Sequence, residues 1–95
     1  MKKEEMNKVS NDIYERINWI GFSFKESTRY VSGVKQLKSN YKDSSSRLLE
    51  VRCMSRMLRK NGIISNDEYD TLTTYIDYVH QDIHTWFLAI DVTID

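Results

Sequence analysis

The sequence predicts an all-α protein: three long helices, or four if the first breaks near Gly21, packed as an antiparallel helical bundle that pairs into a dimer. Three observations carry that expectation. The 95 residues contain no proline and only three glycines, so few positions interrupt a helix. Apolar residues recur at three- and four-residue steps along most of the chain. Between residues 60 and 69, stop and start signals for two helices stand back to back.

The first element runs from Lys3 to Lys42, over which Met6, Val9, Ile13, Ile17, Ile20, Phe24, Val31, Val34, Leu37 and Tyr41 keep helical spacing. Unbroken, it would be about 60 Å long, whereas an antiparallel neighbour of about sixteen residues would cover only about 24 Å. Half of it would then need a second subunit. The other solution is a break at Gly21-Phe22-Ser23, where Ser23 and Glu26 stand at capping-box spacing. Glycine costs a continuing helix only about 1 kcal/mol, so Gly21 does not decide alone. The continuous, dimeric version is the expectation.

The second element, residues 46–61, has its N-cap among Ser44, Ser45 and Ser46. Leu48, Val51, Met54, Met57 and Leu58, with Cys53, cover more than half its circumference and predict burial on two sides. Arg52, Arg56 and Arg59 form its main polar stripe. Gly62 suits the left-handed position after the helix end. Ser65 and Glu68 then make a capping box, with Ile64 and Tyr69 placed as a hydrophobic staple.

The third element, residues 66–90, places Leu72, Ile76, Val79, Ile83, Trp86 and Ile90 within an arc of roughly 80°. The tail Asp91-Val92-Thr93-Ile94-Asp95 alternates like a strand but is short and terminal, and is expected to be frayed or extended. The turn between the second and third elements resembles the short helical hairpin of SHOCT domains, through Leu58, Gly62, Ile63, Ile64, Ser65, Glu68 and Tyr69. The resemblance spans about a dozen residues, and the basic helix that follows in that family is lacking. It implies a tight helical hairpin, and no function is carried across.

Ninety-five residues make one small domain with little core to spare. Met1-Lys2-Lys3-Glu4-Glu5 leads into no apolar run that could serve as a signal peptide, and the longest run, Trp86 to Ile90, is far short of the roughly 20 residues a membrane span needs. With Cys53 as the only cysteine, a reducing, cytoplasmic setting is expected. Richness in Lys, Asn, Ile, Ser, Asp and Tyr suits an AT-rich genome and points to a bacteriophage or mobile-element accessory protein. Charge is polarised. Residues 1–61 hold fourteen Lys and Arg against seven acids, and residues 62–95 hold none against seven, so a net charge of zero conceals about +7 and −7.

Chemistry is sparse. Asp77, His80 and His84 share a helical side at spacings that permit a metal ion, but Gln81 stands where a zinc-protease motif needs its general base, and a solvated flank is expected. Cys53 is expected to be a buried, inert thiol. No glycine-rich phosphate loop and no Gly-x-Ser-x-Gly turn is present. A DNA-reading helix-turn-helix is disfavoured, because the helix after the turn opens with Asn66-Asp67-Glu68-Tyr69-Asp70 and would be repelled by a duplex.

The sequence therefore predicts a small non-enzymatic macromolecule-binding protein, a regulator or inhibitor acting through protein–protein contact. No cofactor, metal or small-molecule substrate is expected. Its partner surface is placed at Trp86, Phe87 and Leu88, with Asp70 and Asp77; together with Asp91 these aspartates could offer a phosphate-like stripe to a basic surface. Trp19, Ile20, Phe22 and Phe24 make a second aromatic cluster, assigned to core. The alternative is a nucleic-acid-binding factor using Arg52, Arg56, Arg59 and Lys60. The competing structural role for those arginines is to answer the acids of the following helix.

Overall fold

A computed structural model describes residues 7–94. The predicted start at Lys3 and the apolar position Met6 lie outside them, as does Asp95. Three helices, α1 (Lys8–Ser27), α2 (Val34–Lys60) and α3 (Asn66–Asp91), pack against one another in a bundle. Cross-helix bonds give their directions. Ser10 meets Glu68 and Thr28 meets Trp86, so α1 and α3 run parallel, while Tyr41 meets His84 and Ser45 meets His80, so α2 runs against α3.

The first predicted element does break, but after Ser27 and not at Gly21. Gly21 is helical and buried because α3 crosses α1 there: a β-carbon on it would stand 2.9 Å from Val79 Cγ1. Its missing side chain thus serves close helix packing. At the true end hydroxyls turn back onto carbonyls of the last turn, which also accept from the Thr28 N–H: Ser27 Oγ donates to Phe24 O at 2.7 Å and Thr28 Oγ1 to Lys25 O at 2.6 Å. Ser32 restarts the chain, its N–H donating to Gln36 Oε1 at 2.8 Å.

The predicted helix 46–61 is likewise corrected, since α2 begins at Val34 and runs 27 residues through the serines. Ser44 and Ser55 are buried on its core-facing line with Leu37, Leu48 and Val51. Of the three serines in a row only Ser44 faces the core; Ser45 is half-buried and Ser46 exposed. The premise of the long-helix dimer, a 60 Å helix with half its length uncovered, does not arise, because 20-residue α1 lies along the 26-residue α3.

The α2–α3 turn forms as predicted. Gly62 has φ 72°, Ile63 N donates to Leu58 O at 2.9 Å and Gly62 N to Arg59 O at 3.0 Å, which is the Schellman arrangement. Ser65 and Glu68 exchange both capping-box bonds. Glu68 also reaches α1. Its carboxylate accepts from Asn7 N at 3.0 Å, Asn7 Nδ2 at 3.3 Å and Ser10 Oγ at 2.7 Å, tying the start of α1 to the turn. Burial, the largest single influence, pushes this carboxyl up; the N–H groups of Ser65 and Asn7 and the hydroxyls of Ser10 and Ser65 outweigh it and bring it down to about 2.

The core is built from Ile13, Ile17, Ile20 and Phe24 of α1, Leu37, Leu48 and Val51 of α2, Ile64 of the turn, and Leu72, Ile76, Val79 and Ile83 of α3. Tyr14 stacks on Tyr75 with centroids 4.4 Å apart along the α1–α3 seam, and the Tyr75 hydroxyl donates to Asn18. The tail is not extended. Thr93 N and Ile94 N both donate to Ile90 O, and the half-buried Ile94 packs on the core, so the strand-like alternation gives way to a last turn. Among the described residues no helix is long and apolar enough to cross a membrane.

Candidate functional site

Trp86, Phe87 and Leu88 do not form one patch, because successive helical residues point about 100° apart. Trp86 lies over the end of α1: its Nε1 donates to Thr28 Oγ1 at 3.0 Å and the Lys25 ammonium sits 5.2 Å from its ring. Phe87 turns to α2 and stacks on Tyr41 at 4.6 Å. Leu88 faces solvent, at 49 % exposure.

The acidic stripe is also divided. Asp77 pairs with Arg52, Asp91 is half-buried, and Asp70 remains exposed. The arginines split along the same line. Arg52 and Arg59, seven residues apart, lie on the α2–α3 seam, where Arg59 covers the Tyr69 ring at 4.2 Å. Arg56 points further outward, and neither it nor Lys60 forms an ion pair among the described residues. Two of the three arginines therefore answer α3 within the hairpin.

His80 and His84 also serve this seam. His84 Nδ1 lies 2.9 Å from the Tyr41 hydroxyl and His80 Nε2 lies 3.3 Å from Ser45 Oγ. No group of three His, Cys, Asp or Glu side chains able to hold a metal converges among the described residues. Cys53, expected to be buried, is exposed on the outer side of α2. Its place in the core line is taken by Ser55, two positions on, whose hydroxyl is satisfied by Val51 O at 2.8 Å.

Two surfaces emerge that the sequence reading did not assemble. On a single continuous α2, Lys35, Lys38, Lys42, Leu49, Cys53, Arg56 and Lys60 are all exposed and fall within an arc of about 60°. Met57, 64 % exposed, lies beside it. No acid stands in this arc; Asp43 and Glu50 project from another side of the helix. The signal was present in the spacing but was cut in two by placing a helix start at Ser46. The second surface is on α1, where Trp19 and Phe22 point away from the core line of Ile13, Ile17 and Phe24 instead of joining it. Period counting from Ile17 places both on the outer side.

No family model, no curated protein and no solved structure matches this chain. The capping box of the 58–69 turn is the chemistry that its likeness to the SHOCT hairpin rests on.

Proposed function

We propose that this chain is a non-catalytic binding protein, a regulator or inhibitor that docks on another protein through the outward arc of α2. The observation that carries this is the mixture in that arc: five cations, no acid, and the apolar Leu49 and Cys53 set among them, with Met57 alongside. Cations select an acidic surface and fix register, while an exposed leucine and methionine gain only where the partner offers an apolar pocket. A protein surface supplies both; the outside of a nucleic-acid duplex supplies only the charge. Both histidines are engaged on the α2–α3 seam, by Ser45 and Tyr41, while Cys53 is exposed on the outer side of α2.

Affinity capture from the native host, comparing Leu49→Asp with Lys38→Glu/Arg56→Glu, tests this. Both variants should fold as the parent does and both should lose the same captured protein. A captured set unchanged by either variant would refute the assignment.

A second reading, nucleic-acid binding, draws on the length of the arc. Lys35 to Lys60 span about 37 Å, close to one turn of duplex. On that reading Arg56 and Lys60 act with Lys35, Lys38 and Lys42, and Arg52 and Arg59 stay within the hairpin. It predicts steeply salt-dependent binding that Leu49→Asp weakens little.

A further inference from the structure

The outer side of α1 and the open stretch of its seam with α2 leave two large aromatic side chains exposed. Trp19 is 64 % and Phe22 55 % exposed, with ring centroids 5.6 Å apart. Next to Trp19 the seam opens into a cleft of about 530 Å³ over Ile20, Val51 and Met54, whereas clefts on the other two seams hold about 220 and 230 Å³. A pair of large aromatics left in water, with Trp19 beside a cleft of apolar floor and charged rim, is an anchor without its partner.

We infer that a second copy of this chain covers this face. Charge selects the occupant. Asp43, Arg47, Glu50 and Arg16 line the clefts of this seam with alternating sign, Asp12 stands one helical turn before Arg16 on α1, and none of the five is ion-paired among the described residues. In a two-fold dimer the same patch meets itself, so it must carry both signs to be its own complement. This face does; the α2 arc, with cations alone, would repel its copy. Space is sufficient as well, since the molecule measures 48 × 22 × 16 Å and a stable interface takes roughly 800 Å² from each partner. A chain of this size also has a small core to gain from association. The dimer lies on a different side of α2 from the cationic arc and stands independently of the function proposed above. It would leave two such arcs exposed, one per copy.

Size-exclusion chromatography with light scattering tests the dimer. The wild-type chain should elute at twice 11.3 kDa. Trp19→Glu should run at 11.3 kDa with unchanged circular dichroism, because Trp19 lies outside the core. Arg16→Glu/Arg47→Glu and Asp12→Arg/Glu50→Arg should each run as monomers, and mixing the two should restore the doubled mass. A wild-type mass of 11.3 kDa at every loading overturns the dimer. So does a Trp19→Glu protein that stays dimeric, or a charge-reversed mixture that fails to reassemble.

Discussion

Glu68 joins three segments through one carboxylate: the start of α1, the turn before α3 and the first turn of α3 itself. Its folded-state carboxyl titrates near 2, against 4.5 for the free group. Above 4.5 the carboxylate stabilises the fold in full. Between 4.5 and 2 the unfolded chain binds the proton that the folded one refuses, so the contribution drains away as pH falls through that window. The shift corresponds to roughly 3 kcal/mol. Denaturant melts at stepped pH should show wild type losing about that much relative to Glu68→Gln across the window; parallel curves would mean that the carboxylate is not held this way. Sequence reading found the Ser65 and Glu68 pair from local spacing, but the bonds from Asn7 and Ser10 join residues about sixty positions apart and leave no local mark. Gly21 shows the same limit. Its role depends on Val79 lying across it, so Gly21→Ala should destabilise by about 1 to 2 kcal/mol despite alanine's better helix propensity. Gly21→Ala/Val79→Ala should cost less than the two single changes added together, as thermal melts can show.

Helices were legible where their ends are specified nearby. Gly62, Ser65 and Glu68 set the α2–α3 turn within seven residues, and the predicted start of α3 at Asn66 is the observed one. The α1–α2 connection hid because Val31, within it, packs on the core and Val34 opens α2, so apolar spacing passes through the break undisturbed. Its signals are the hydroxyls of Ser27, Thr28 and Ser32, which can equally sit inside a helix, as Ser44 to Ser46 do. Amide hydrogen exchange separates the two cases. Amides of Ser45, Ser46 and Arg47 should be protected like the rest of α2, while those of residues 30–33 exchange quickly. Rapid exchange at Ser46 with protection at Val31 would instead restore the longer first helix.

At the scale of the whole molecule, the polarised charge of the sequence is only partly cancelled within the bundle. Lys25 pairs with Asp82 and Arg52 with Asp77, so α3 neutralises the seams it shares with α1 and α2. The outer arc of α2 is left cationic. Trp86 and Phe87 each serve a different seam, Trp86 still 41 % exposed, while Trp19 and Phe22 are more exposed, at 64 % and 55 %. Which aromatic faces outward depends on where each helix lies against its neighbours. On the proposals above, the chain would pair with itself through the surface that carries both signs and engage an acidic protein through the surface that carries one.

The most direct test of that second surface is a nuclear magnetic resonance titration of the isotope-labelled chain, at about 0.15 M salt, with an acidic amphipathic peptide and, separately, a short DNA duplex. Shift changes should gather at Lys38, Lys42, Leu49, Cys53, Arg56 and Lys60 with the peptide and stay small with the duplex. Peptide-induced changes away from α2, or a duplex that perturbs the arc as strongly as the peptide does, would contradict a protein partner docked on this helix.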